Sequence, residues 1–147
     1  MLKAVRRSDA PVYHLPGRDW YLCIGPENTA TKNATLGVAV FPVGSAPPGH
    51  VHPAEEELIY IVSGYGQLIT PEGTVELAPG TSVYVPIGLL HATVSRGPGA
   101  LELISVFSPP VVPGSYETKA GTAATASTPA TAGTPATAGT AAKTGAT

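Results

Sequence analysis

Between residues 20 and 107, short runs of β-forming residues alternate with turns rich in glycine and proline, and this rhythm excludes most folds open to a chain of 147 residues. The runs are Trp20–Ile24, Leu36–Phe41, His50–His52, Glu57–Ser63, Gly66–Thr70, Thr74–Leu77, Ser82–Val85, His91–Ser95 and Leu101–Phe107. Their separators include Gly44 through Gly49, Pro79-Gly80, Pro86-Ile87-Gly88 and Gly97-Pro98-Gly99. Pro71-Glu72-Gly73, set between two alternating runs, predicts a tight hairpin. Pro109, Pro110 and Pro113 end the last run, because proline has no N–H to donate to a ladder. Helix signals are scarce. So many short strands leave many ladder edges open unless the sheet closes on itself or packs on another. The expected fold is therefore all-β, a small barrel or jelly roll whose interior takes the inward half of each strand.

Three regions are expected. Residues 1–19 form an N-terminal arm, which wraps outside the barrel or pairs with a second subunit. Residues 20–118 form the barrel, a size that can bury its own core. Residues 119–147 form a low-complexity tail, almost entirely Ala, Thr, Gly and Pro, in which Thr128-Pro129-Ala130-Thr131-Ala132-Gly133 recurs as Thr134 to Gly139. With no large apolar side chain to bury, such a segment cannot offset an ordering cost of roughly 1–2 kcal/mol per residue, and disorder is the expectation.

Composition narrows the partners. The net charge of −2 and the absence of a Lys/Arg stripe with interleaved aromatics argue against nucleic acid. No run approaches the ~18 apolar residues of a membrane span, and Met1 to Pro11 lacks the apolar stretch of a secretory signal. The single cysteine, Cys23, cannot form an internal disulfide, and its neighbours Tyr21, Leu22 and Ile24 suit a buried structural thiol. A cytoplasmic protein is expected.

One group of residues carries chemistry. His50 and His52 are two apart, so in a strand both imidazoles point to one face. Glu57 follows a turn at Pro53-Ala54 and opens a run in which Glu57, Ile59 and Ile61 share one face, with Leu58, Tyr60 and Val62 on the other. His91 opens a later run directly after Pro86-Ile87-Gly88. The spacings Gly44-x5-His50-x-His52-x4-Glu57-x6-Gly64 and Gly80-x5-Pro86-x-Gly88-x2-His91 resemble the two motifs of the cupin superfamily. Ser95 stands where the second motif usually ends in Asn, a position that is not a metal ligand in that family.

The resemblance implies a double-stranded β-helix, the cupin or jelly-roll barrel, with one metal ion held inside it by His50, His52, Glu57 and His91. Three neutral imidazoles and a carboxylate suit one divalent transition metal, Fe(II) or Mn(II) first, with Ni, Cu or Zn possible. With Glu57 ionised the site keeps a net charge near +1, favouring a small anionic or chelating oxygenated substrate. A metal-dependent enzyme follows, with Fe(II)-type dioxygenase chemistry as the leading expectation. A metal-dependent isomerase, lyase or decarboxylase of the same fold is the first alternative. The cupin sulfur lyases match less well, because they carry tyrosine where this chain has Ile59. A non-catalytic small-ligand binding or sensing module is the second alternative. No general base stands out.

The remaining candidates have plainer readings. His14 is expected to be an ordinary exposed histidine, and Glu55 and Glu56 solvated loop acids, with only Glu57 keeping the six-residue spacing to Gly64. Tyr60 and Tyr84 read as packing residues on alternate faces. Arg96 and Glu102 are candidates for a rim ion pair. Arg18 and Trp20 are candidates for the cavity mouth, with core or dimer packing preferred for Trp20. A homodimer is expected.

Overall fold

The structure, a computed structural model, describes residues 1–115 and the backbone of Glu117–Thr118, so the tail expected over 119–147 lies outside the described residues. Eleven strands build it: β1 (Val12–Leu15), β2 (Arg18–Ile24), β3 (Thr35–Phe41), β4 (His50–Val51), β5 (Glu56–Ser63), β6 (Gly66–Thr70), β7 (Gly73–Leu77), β8 (Ser82–Val85), β9 (Ala92–Ser95), β10 (Leu101–Ser108) and β11 (Glu117–Thr118). A single turn of helix, α1 (Pro26–Thr29), and a 3-10 turn over Arg7–Asp9 are the helical elements among the described residues.

Two layers face each other. One is a six-stranded antiparallel sheet in the order β1-β2-β3-β10-β5-β8. The other joins the three strands β7-β6-β9 to the pair β4-β11 through an isolated bridge between His50 and His91. That bridge is a double one, with His50 N–H donating to His91 O at 2.9 Å and His91 N–H to His50 O at 3.0 Å. The predicted hairpin at Pro71-Glu72-Gly73 is the β6–β7 connection, with Thr70 paired to Gly73.

Alternation decides which half of each strand fills the space between the layers. Along β10, Leu101, Leu103, Ser105 and Phe107 are buried, and along β3 Thr35, Gly37, Ala39 and Phe41 are. In β5, Glu57, Ile59 and Ile61 point inward while Leu58, Tyr60 and Val62 are exposed, the two faces read from the sequence. Trp20 packs inward against Gly37, where a Cβ would lie 2.1 Å from the indole ring, and its Nε1–H donates to Ser105 Oγ at 3.2 Å.

The arm expected over residues 1–19 is corrected. Val12–Leu15 pairs in register with Arg18–Tyr21 and extends the main sheet of its own chain, so the sheet begins at Val12 rather than Trp20. The Pro16-Gly17 turn that makes this hairpin is short, and Tyr13 and Leu15 pack onto the core from the same face as Trp20. Two further expectations change. Tyr84 is paired with Leu58, and Tyr60 lies two residues from Leu58, so both tyrosines occupy one outer face rather than alternate faces. Glu102 pairs with Arg7 at 2.7 Å, and Arg96 instead donates to Gln67 Oε1 at 2.6 and 3.1 Å. No helix among the described residues is long and apolar enough to cross a membrane.

Candidate metal centre

The two layers bring three histidines and a glutamate to one point. His50 and His91 sit directly opposite each other across their bridge, which places both side chains on the same face. His52, two residues further, shares that face, and Gly88 N–H donates to His52 O at 2.9 Å, holding the two segments together below it. The ligand atoms of His50, His52 and His91 all lie within 4.8 Å of one another, and all three residues are buried. Glu57 arrives from the opposite layer on β5, with Oε2 at 3.2 Å from His91 Nε2 and 3.6 Å from His52 Nε2.

These atoms fit a cation. Donors about 2.1 Å from an ion, at right angles to each other, stand about 3 Å apart, close to the separation of Glu57 Oε2 and His91 Nε2. His91 Nδ1–H donates to Leu89 O at 2.9 Å, which turns the Nε2 lone pair toward the centre. His91 Nε2 and Glu57 Oε2 are fully buried and find no hydrogen-bond donor among the described residues. Buried acceptors in that state cost of order 1–3 kcal/mol each, which a bound cation would offset.

Burial, reinforced by the charges of His91, Arg18 and His52, pushes His50 from its ordinary 6.5 down to about 2. Burial also lowers His52. Both imidazoles therefore present neutral lone pairs at physiological pH, as metal ligation requires. The sign for stability follows. Below about pH 6.5 the unfolded chain takes up a proton at His50 that the folded chain refuses, so stability present above that pH is lost as pH falls. The midpoint of thermal unfolding of metal-free protein is expected to fall between pH 7 and pH 5, and less steeply in His50→Gln, with equal slopes in the two proteins counting against the assignment.

Around the four side chains is a cavity of about 580 Å³, its open mouth included. Its wall is mostly apolar, with Leu15, Trp20, Phe41 and Phe107 prominent, and Thr93, Ser105 and Arg18 supply polarity. The Phe107 ring lies 4.9 Å from that of His52. The Arg18 guanidinium lies 5.7 Å from the centre of the Phe41 ring. Arg18 and Trp20, candidates for the mouth, thus both line the cavity, and Trp20 is at the same time core. The sequence reading missed Ser105, Phe107 and Phe41, although the inward register of Leu101–Phe107 and Leu36–Phe41 was available to find them. Glu56 faces outward, where the Tyr84 hydroxyl donates to it at 3.3 Å, and so does not compete with Glu57. His14 is exposed and pairs with Asp19 at 2.7 Å. Ser95 is buried away from the cavity, its N–H donating to Ser45 O at 2.9 Å. Cys23 is a buried free thiol.

The model of the cupin domain matches residues 37–107. An uncharacterised protein of Streptomyces coelicolor is 31% identical over 81 residues, which span 54% of this chain and 73% of that protein. An uncharacterised protein of Methanocaldococcus jannaschii is 30% identical over 76 residues, which span 52% of this chain and 61% of that protein, just under two thirds of its length. Among solved structures, the polyketide cyclase RemF from Streptomyces resistomycificus superposes with a TM-score of 0.64 at 23% identity, covering 74% of this chain and 80% of that one. A protein from Thermotoga maritima described as a predicted oxalate decarboxylase superposes at 0.64 and 21% identity, covering 73% and 99%. The nucleoside dehydratase Pac13 superposes at 0.67 and 13% identity, covering 81% and 92%. At these identities the structural likeness speaks for the fold.

Proposed function

This chain belongs to the cupin superfamily, and from that premise we propose that it is a metal-dependent enzyme acting on a small oxygenated, anionic or chelating molecule, with Fe(II)-type dioxygenase chemistry as the first reading. The observation that carries the proposal is the convergence of His50, His52 and His91 from one layer and Glu57 from the other on a buried point at the floor of an apolar cavity. In this reading all four residues hold the ion. A bound divalent metal would polarise substrate oxygens and, if redox-active, pass electrons to dioxygen.

The chain's own residues do the rest. The neutral imidazoles and one carboxylate leave the centre a net positive charge, so an anionic oxygen donor is favoured over a neutral one. Arg18 adds a second positive charge to the same cavity and reinforces that preference. Leu15, Trp20, Phe41 and Phe107 exclude water around the substrate body, which strengthens electrostatic interactions inside. The Leu89 carbonyl holds the His91 ring in one tautomer and orientation.

A second reading, a metal-dependent lyase, isomerase or decarboxylase, is favoured by the names of the structural neighbours, which include a cyclase and a dehydratase. The two readings separate in one experiment. Protein reconstituted with Fe(II) or Mn(II) is screened against small carboxylates, enols and catechols in air and under argon. Oxygen uptake matched to substrate loss, abolished under argon, is the expected result. Turnover that persists without oxygen would move the assignment to the second reading, and no metal uptake after reconstitution would move it to a binding module.

A further inference from the structure

Taking the cavity as the substrate site proposed above, we infer that the hydroxyls of Ser105 and Thr93 form a second recognition point within it. They receive an oxygen acceptor that the substrate carries a few atoms from its metal-binding end. The substrate class this selects is an anion with a remote carbonyl oxygen, an oxo acid being the simplest. Both residues line the cavity, from opposite layers, and both are buried, at 2% and 5% exposure. Strand register sets them beside the metal ligands. Thr93 follows His91 by two residues and turns into the same cavity, roughly 6.5–7 Å further along the strand. Phe107 is paired with Glu57 and Ser105 with Ile59, so Ser105 is the diagonal neighbour of Glu57, at roughly 7–8 Å.

The Ser105 hydroxyl is aimed by what surrounds it. Trp20 stands on β2, and its indole crosses β3 at Gly37, where any side chain would collide with the ring, to reach Ser105 on β10. There Nε1–H, which can only donate, gives its hydrogen to Ser105 Oγ at 3.2 Å. A serine oxygen that accepts in this way keeps its own proton to donate, and no acceptor for it stands among the described residues. Thr93 likewise makes no side-chain hydrogen bond among them.

Leu103 and Phe107 flank Ser105 on the inward face of β10, so its hydroxyl is a polar point in an apolar wall. Burying a hydroxyl proton without an acceptor is unfavourable, and an oxygen of the bound molecule would remove that cost. Both donors are neutral, which suits a carbonyl oxygen. The anionic end of the substrate is left to the metal centre and Arg18.

Two acids of one shape test the inference. 4-Oxopentanoate and 4-methylpentanoate share the carboxylate and the chain, and differ only where C=O replaces CH–CH3. Binding to the full chain, both Mn(II)-loaded and metal-free, is followed by the fluorescence of Trp20, its only tryptophan. Wild type is expected to bind the oxo acid about tenfold more tightly, and Ser105→Ala to cut that ratio about fivefold by weakening the oxo acid alone. Should this variant fail to fold once Trp20 N–H has no acceptor, Thr93→Val decides, with an expected fall in the ratio of about threefold. The same ratio is expected in metal-free protein, with both acids bound more weakly. Failure of the metal reading therefore leaves the ratio intact, whereas failure of the hydroxyl pair removes it. No preference in wild type, as when a water occupies the two hydroxyls, overturns the inference. So does equal weakening of both acids by Ser105→Ala, an unchanged ratio in Thr93→Val, or binding of neither acid in either form.

Discussion

His91→Ala protein is expected to bind a divalent transition metal at least ~100-fold more weakly than wild type while keeping its far-UV circular dichroism. The reason lies in how the residue is divided between backbone and side chain. Its N–H and C=O make the bridge to His50 at 3.0 and 2.9 Å, and alanine keeps both bonds. Its imidazole faces Glu57 Oε2 at 3.2 Å, and alanine removes that donor while leaving a buried carboxylate beside His52. Affinity is therefore lost without the layers parting. Competition against a chelator of known affinity, on apo protein reloaded with Mn(II) or Fe(II), measures the change. An affinity within a factor of three of wild type would remove His91 from the ligand set. His91→Gln, which keeps volume and a weaker oxygen donor, is expected to fall between the two.

Gly64→Ala is expected to cost about 3 kcal/mol or more and to lower the unfolding midpoint by more than about 10 °C. Gly64 has φ +79°, in the left-handed region, and closes β5 before the chain turns into β6. A Cβ there would lie 2.2 Å from Ala100 O and 2.7 Å from Leu101 Cα. Both are backbone atoms of the adjoining segment at the start of β10, where a completely buried Leu101 leaves no room to retreat. Gly44→Ala is the control: its φ of +76° is nearly the same, but nothing lies within 4 Å of the added carbon. It is expected to cost only the ~1–2 kcal/mol of the left-handed backbone. Equal midpoints for the two variants in a thermal melt would show that crowding at Ala100 plays no part.

Several features of the structure were legible because they depend on local rules. Turn chemistry delimits the strands well, and Gly66–Thr70 and Ser82–Val85 have the bounds read from sequence. Period-two alternation sorts Glu57, Ile59 and Ile61 from Leu58, Tyr60 and Val62. The hairpin strand Val12–Leu15 escaped because none of its residues is fully buried and His14 interrupts its apolar run, so no strong pattern marks it. The partner of Glu102 escaped for another reason. Arg96 is six residues away along the chain, but the 3-10 turn carrying Arg7 lies over the sheet, with its guanidinium 5.5 Å from the Tyr21 ring, and reaches Glu102 first.

Sequence alone determined the all-β class, the family, and the face on which His50 and His52 stand, since spacing along one strand fixes direction relative to its neighbours. Tertiary structure decided what those side chains meet. That His91 lies opposite His50 is a matter of pairing between segments some forty residues apart, and that Glu57 reaches them is a matter of one layer packing on the other. The same packing chose which tyrosines share the outer face, because inward and outward are defined only once a second layer covers the first. A strand carries its own alternation; the cavity between two sheets exists only after both are in place.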